Sequence, residues 1–375
     1  MASHIQISAL PFIKMHGLGN DFVMVKDSDL AALFGPEKIA ERGEHKSDPA
    51  ALTAALSALA RSICDRRTGV GADGLIVAVQ LPLRYSVFQE LIETYPSYSE
   101  CSLAWIYINS DGSSSDMCGN GLRCLAYFAE SEALLPACIG ATFSIATRAY
   151  AVDVNLSAPA GGGIENTRTV STTLAAPAFG TTKSNSEKTV ALALGDITIG
   201  AVAVDLGNPH CVVFDCPELD LAQYQGCMQG ICTTANTAAA HPSLEKFPPR
   251  LLELAHQIQS LPLFPQGVNV EFVLPQGKNR AVVYVVERGC GPTLACASGA
   301  AAVVAAGAIE GHLNRQCCVI LPGGELEVAW SSVDNRIELS GPAQIVFKGE
   351  FPVSGASFFA PHFPVTAPCF EELPA

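Results

Sequence analysis

Charge is scarce in this chain of 375 residues, and positive charge is scarcest. Only 15% of residues are Asp, Glu, Lys or Arg, and 22 basic side chains stand against 36 acidic ones, a formal charge of −14. No Lys/Arg cluster offsets phosphate repulsion, which argues against a nucleic-acid partner. The local field of a small-molecule pocket stays open, because it can oppose the net charge. Long hydrophobic runs are lacking too. The longest, Gly299 to Ile309, is short and Ala/Gly-rich, so no membrane span is expected. The start "MASHIQISALPFIKMHG" has neither the basic opening nor the unbroken apolar core of a secretory signal. Fourteen cysteines are present, yet none form the CxxC pairs that mark many zinc sites. Structural zinc is therefore not expected.

What is there is apolar material. At 49% hydrophobic, with 24 Pro and 32 Gly, the composition describes packed cores joined by many turns and excludes disorder. The length favours two domains. A chain of this size needs no disulfide staples, so the cysteines read as reduced thiols in a reducing, cytoplasmic compartment.

Along the chain, "FIKMHGLGNDFVMVK" (12–26) reads as strand, glycine turn, strand. Residues 28–60 read as Ala-rich helix with a polar, looping middle, and "CDRRTGVGADGLIVAV" as a glycine turn feeding a buried strand. "LAWIYINSDGSSSDMCGNG" gives a strand, a polar loop and a helix starting near Gly121. "TFSIAT" is a short strand and "SAPAGGGIENTR" the best linker by composition. The second half holds strands around the GNPH turn, an insertion over 215–265 with a helical segment at 249–259, and strands at "GVNVEFVL" and "RAVVYVVERG". A cysteine loop, an Ala-rich helix at 299–310 and closing strands follow.

Each half thus runs strand, glycine turn, strand, polar loop, cysteine, helix. "MCGNGLRCLAYFA" overlays on "ACASGAAAVVAAG", which aligns Cys118 with Cys296 and Gly121 with Gly299. The expected fold is α/β of the α+β type, with two pseudo-symmetric domains and a site in the cleft between them. Both helix starts would then face one cleft. A helix N-terminus favours a thiolate and binds carboxylates through its unpaired N–H groups, and small residues after each cysteine allow close approach. Two opposed thiols flanking an amino-acid α-carbon can remove a proton from one face and return it to the other, while the helix starts stabilise the developing charge. Cys124, Cys290, Cys317 and Cys318 read as packing residues.

The motifs "KMHGLGNDF", "DRRTGVGADG", "MCGNGLRC", "GNPHCV", "GVNVEF" and "ERGCGPTLACASGA" together resemble the diaminopimelate epimerase family, in its order and over almost the whole chain. The resemblance implies two pseudo-symmetric domains, each a mixed sheet wrapped around a central helix. The halves would be 1–168, with a strand at 342–353 returning to it, and 169–341. It implies no pyridoxal phosphate, no metal and no other cofactor. The implied partner is a small diamino-dicarboxylate substrate, with no nucleic acid or membrane; a homodimer is allowed. The implied reaction is epimerisation of LL- to meso-diaminopimelate, a step toward lysine and cell-wall precursors. Residue by residue, it implies Cys118 and Cys296 as the proton-exchanging pair. Asn20, Asn109, Asn208, Asn269 and Arg288 would hold the non-reacting centre, with Glu287 meeting an ammonium group. Gly119, Asn120, Ala297 and Ser298 would present the helix-start N–H groups to the reacting carboxylate, and His210 would tune a thiol. Two positions depart from the pattern: Pro292 where Glu is usual, and Ala297 where Gly is usual.

Three rivals stand beside this reading. A proline or hydroxyproline racemase of the same fold would typically carry a histidine after the first Cys-Gly, where this chain has Asn120. A thiol hydrolase could use His210 with Cys211, but neighbours on a strand point to opposite faces. A degenerate binding homologue would keep the cleft without turnover.

Overall fold

The computed structural model describes residues 7–34, 49–135, 140, 142–157, 166–180, 188–214, 216, 219, 221 and 247–354. The polar loop read near 41–50 and the linker read at 157–168 lie largely outside these residues. Strands β1 (Ile7–Gly17), β2 (Asn20–Lys26), β3 (Gly74–Gln80), β4 (Leu103–Asn109), β5 (Thr142–Ala146), β6 (Ala151–Leu156) and β7 (Thr167–Leu174) fill the first half. Helices α1 (Asp27–Phe34), α2 (Pro49–Ile63), α3 (Gln89–Ile92) and α4 (Gly119–Ser131) stand between them. The second half has β8 (Ala178–Phe179), β9 (Thr189–Leu194), β10 (Ile197–Asp205), β11 (Pro209–Val213), β12 (Asn269–Pro275), β13 (Arg280–Glu287), β14 (Gly291–Pro292), β15 (Gln316–Leu321) and β16 (Gly324–Trp330). It also has α5 (Pro249–Gln259) and α6 (Ala297–Glu310). The long β17 (Ile337–Ser354) serves both halves.

In the first half the pairing closes on itself. β1 pairs with β2, β2 with β3, then β4, β5, β6 and β7 follow in turn. β7 pairs with residues 337–344 of β17, and the rest of β17 runs antiparallel to β1. β2–β3 and β4–β5 are parallel, so the sheet is mixed. Helix α4 fills the ring, with every residue from Gly119 to Ala129 buried, the expected state of a helix enclosed on all sides. Phe22, Trp105 and Phe128 pack into the same core. β3, "GLIVAVQ", is buried from Gly74 to Val79, which is why it reads as an unbroken apolar run.

The second half is a mixed sheet wrapped around α6. The chain of pairing runs β17, β16, β15, β13, β12, β11, β10, with β8 and β9 both on β10. The alanines of α6 let these strands close around it, and Ala300 to Ala306 are fully buried. Helix α5 covers the outer face through Leu251, Leu254, Ala255 and Ile258. The two-domain α+β architecture is the one the sequence led us to expect. The break expected at 168/169 falls inside β7, which pairs with β6 as far as Thr173 and with β17 as far as Leu174. Among the described residues, no helix is long and apolar enough to cross a membrane.

Burial in these cores makes an alkaline prediction. Cys64 is 1% exposed at the end of α2, and burial pushes its thiol up to about 12 from an ordinary 9.0. The folded chain therefore holds a proton that the unfolded chain releases near pH 9. The stability this provides is complete below pH 9 and is lost as pH rises toward 12. The thermal midpoint should fall between pH 9 and 11, and fall less steeply in Cys64→Ala. Parallel curves for the two proteins would refute this assignment.

Candidate active site

Cys118 and Cys296 each occupy the residue before a helix, in extended conformation, with φ of −155° and −122°. Each sulfur replaces the usual cap oxygen. It accepts the N–H of the third helical residue, Gly121 at 3.4 Å and Gly299 at 3.3 Å. The two helix starts meet: a Cβ built on Gly119 would lie 2.6 Å from the Cβ of Ala297. The fold thus brings the two cysteine segments together from opposite halves.

Around Cys118, Asn20 is oriented by Asp73, whose carboxylate accepts its amide N–H at 2.7 Å. That turns Asn20 Oδ1 toward the Cys118 thiol, 3.6 Å away, and toward the Asn120 amide, 3.2 Å away. Asp73 belongs to a charged cluster in which Arg66 bonds both Asp73 and Asp21, and Lys14 pairs with Asp21 at 2.6 Å. Burial and the neighbouring Asp21 push the Asp73 carboxyl up. Against burial, Arg66 and Lys14 hold the Asp21 carboxyl below its ordinary value.

Around Cys296 a second chain of polar groups runs in from β12 and β11. Glu271 Oε1 lies 2.6 Å from His210 Nδ1, and both side chains are fully buried. His210 Nε2 meets Asn208 Oδ1 at 3.1 Å, Asn208 donates to Ser298 Oγ at 3.1 Å, and Ser298 Oγ lies 3.5 Å from Cys296 Sγ. The register of β11 on β12 sets His210 opposite Asn269. Asn269 accepts the backbone N–H of Arg288 at 2.8 Å. Arg288 is exposed, and among the described residues its guanidinium is anchored by one bond, to Gln266 O at 2.9 Å. Glu287 accepts the Thr293 hydroxyl at 2.6 Å, and burial raises its carboxyl despite that bond.

A helix start alone would lower these thiols, but burial prevails. It pushes Cys118 up to about 11, against the Gly121 N–H, and Glu287 adds to the rise. Burial holds Cys296 well above its ordinary value, with Glu287 and Glu271 contributing. The expected depression of the thiols is thus corrected: desolvation of an anion outweighs the helix-end N–H donated to each sulfur.

Most residues expected at the site gather here: Asn20, Cys118, Gly119, Asn120, Asn208, His210, Asn269, Glu287, Arg288, Cys296, Ala297 and Ser298. Asn109, at the end of β4, spends its amide on Ser113 in its own loop. Sequence reasoning did not single out Asp73, Glu271 or Arg123. Each left a signal, namely a charged residue inside an otherwise apolar strand or helix, or beside a glycine turn. Among the described residues, no group of three or more His, Cys, Asp or Glu side chains is placed to hold a metal.

The two-domain architecture has solved counterparts. It matches a hydroxyproline epimerase from Agrobacterium vitis with a TM-score of 0.57 at 12% identity, covering 94% of each chain. A probable proline racemase from Agrobacterium radiobacter matches with a TM-score of 0.55 at 14% identity, covering 91% of this chain and 92% of that one. In sequence, the profile described as diaminopimelate epimerase matches residues 12–159 and 202–346. The diaminopimelate epimerase of Microcystis aeruginosa is 34% identical over 92% of this chain and 99% of its own length. The chloroplastic enzyme of Oryza sativa subsp. japonica is 33% identical over 91% of this chain and 80% of its own. The chain belongs to the diaminopimelate epimerase family, and so to the isomerases.

Proposed function

We propose that the protein interconverts LL- and meso-diaminopimelate by two-base proton transfer, with Cys118 and Cys296 on opposite faces of the reacting α-carbon. The observation that carries this reading is the meeting of two cysteine-capped helix starts from opposite halves. One sulfur takes the α-proton as thiolate while the other delivers one as thiol. The N–H groups of both helix starts receive the α-carboxylate and the charge that spreads into it. Glu287 opposes ionisation of both thiols. An ammonium group bound beside it cancels that opposition, so substrate entry itself favours the thiolate. Arg288 takes the distal carboxylate, and Asn20, Asn208 and Asn269 surround the distal centre. Two-thiol proton transfer needs both cysteines reduced, which suits a reducing compartment such as the cytoplasm.

The test is α-proton exchange on LL-diaminopimelate in deuterated water under reducing conditions, without pyridoxal phosphate. Deuterium is expected only at the carbon that inverts, and trans-4-hydroxyproline is expected to stay unlabelled. No label in diaminopimelate would overturn the assignment, and label in hydroxyproline would move it to the sister racemases.

A further inference from the structure

Outside its own helix and chain neighbours, a Cβ built on Gly119 meets one atom within 4 Å among the described residues, the Ala297 methyl at 2.6 Å. Both residues are the first in their helices, directly after a cysteine. The space between the two helix ends therefore holds one methyl group and not two. Nothing in the backbone demands glycine at 119, because its φ lies outside the left-handed region. An alanine there would even suit the helix better, by up to about 1 kcal/mol in a helix interior. Only the opposite half of the molecule objects.

The next residue ties the same seam. Asn120 is 2% exposed. Its amide donates to the carbonyl of Ala295, just before Cys296, at 3.0 Å and to Asn20 Oδ1 at 3.2 Å. Its Oδ1 accepts from Arg123 at 2.7 Å. Both donors and the acceptor are in use. Arg123 is fully buried in α4, bonded further to the carbonyls of Gly119 and Pro342. No carboxylate pairs with it among the described residues. Burying an unpaired guanidinium costs several kcal/mol, so the position calls for a reason. A guanidinium can only donate, so the Asn120 atom facing it must be oxygen, and the amide nitrogen is forced toward Ala295 in the other half.

We infer that the Gly119–Ala297 contact sets the spacing of Cys118 and Cys296, and that Arg123 and Asn120 are positioning residues that hold the two helix starts at that spacing. The inference rests on the two-cysteine reading above and deepens it. An error of about 1 Å in the placement of reacting groups can cost about 100-fold in rate, so an extra methyl at this seam should be felt in turnover.

The experiment compares wild type, Gly119→Ala, Ala297→Gly, the double swap and Asn120→Ala. For each, kcat and KM for epimerisation are measured, together with the thermal midpoint. Cross-linking of Cys118 to Cys296 by dibromobimane, located by peptide mapping, reads the spacing independently of catalysis. Gly119→Ala is expected to lose about 100-fold in kcat with an unshifted midpoint, and to lose the cross-link. The double swap restores at least tenfold of that kcat, and the cross-link with it. Asn120→Ala lowers kcat about tenfold with KM unchanged. Wild-type kcat and cross-linking in Gly119→Ala would overturn the inference, as would a double swap no better than the single change. If Gly119→Ala does not fold, folding of the double swap supports the contact and its failure overturns it. If wild type shows no proton exchange yet cross-linking follows the swap, the spacing pair stands and the catalytic reading falls.

Discussion

Replacing Cys118 or Cys296 with serine is expected to lower epimerisation by on the order of 10²–10⁴-fold each, while leaving the fold intact. Serine makes the sharper probe than alanine. Both sulfurs cap helices, accepting the N–H groups of Gly121 and Gly299, and a cap lost to alanine costs about 1 kcal/mol. A hydroxyl is a preferred cap, so the serine variants keep or improve the start of α4 and α6 while removing the acidic proton of the thiol. A serine hydroxyl is too weak an acid to serve as a resting base, so the chemistry is lost with the structure preserved. Two-base transfer further requires that both substitutions act alike, since neither face can be served by the remaining thiol. The measurement is kcat in both directions beside the thermal midpoint. A variant that keeps more than a tenth of wild-type turnover would remove that residue from the proton path. A midpoint that collapses would point to capping as the residue's main role.

The ease of reading this chain varied with how local the cause was. The two cysteines were legible because capping is a matter of adjacent residues: a small polar residue, an extended φ and an apolar helix directly after it. Strands β3 and β13 were legible because burial on both faces makes their interiors apolar without interruption. β6 and β7 escaped, although β6 alternates Val152, Val154, Leu156 inward, because β7 is built of Thr, Ser and Val and carries little apolar signal. What places β7 is distant: its partners are β6 and the C-terminal β17. The same holds at the site. Asp73 orients Asn20 across the parallel pairing of β2 and β3, and Asn120 reaches Ala295 across the seam between the halves. Neither partner is close in sequence, so no local pattern announces the bond. The raised thiols belong to this class too, since desolvation depends on everything that closes around a sulfur.

The other large effect is expected at Glu271. Its carboxyl stands between the apolar Val270 and Phe272 of β12, and its side chain is fully buried against His210 at 2.6 Å. A Cβ on Gly299 would lie 2.8 Å from Glu271 Oε1, so the carboxyl sits beneath the first turn of α6, next to the segment that carries Cys296. Its second oxygen has no partner among the described residues, an expense that a purely structural position would not be expected to retain. Removing Glu271 leaves the buried His210 ring nitrogen without its hydrogen-bond partner, at about 1–3 kcal/mol. Glu271→Ala is therefore expected to lose about that much in denaturant unfolding, and Glu271→Gln, which still offers His210 a hydrogen bond, to recover most of it. Activity should separate the two roles. In Glu271→Gln the fold is kept, but the His210–Asn208–Ser298 chain ends on an amide in place of a carboxyl group, so turnover should fall and its pH profile should move. Stability loss below about 1 kcal/mol in Glu271→Ala would mean the pair is worth little to the fold. Unchanged pH dependence in Glu271→Gln would mean that the chain ending at Cys296 carries no influence on its proton.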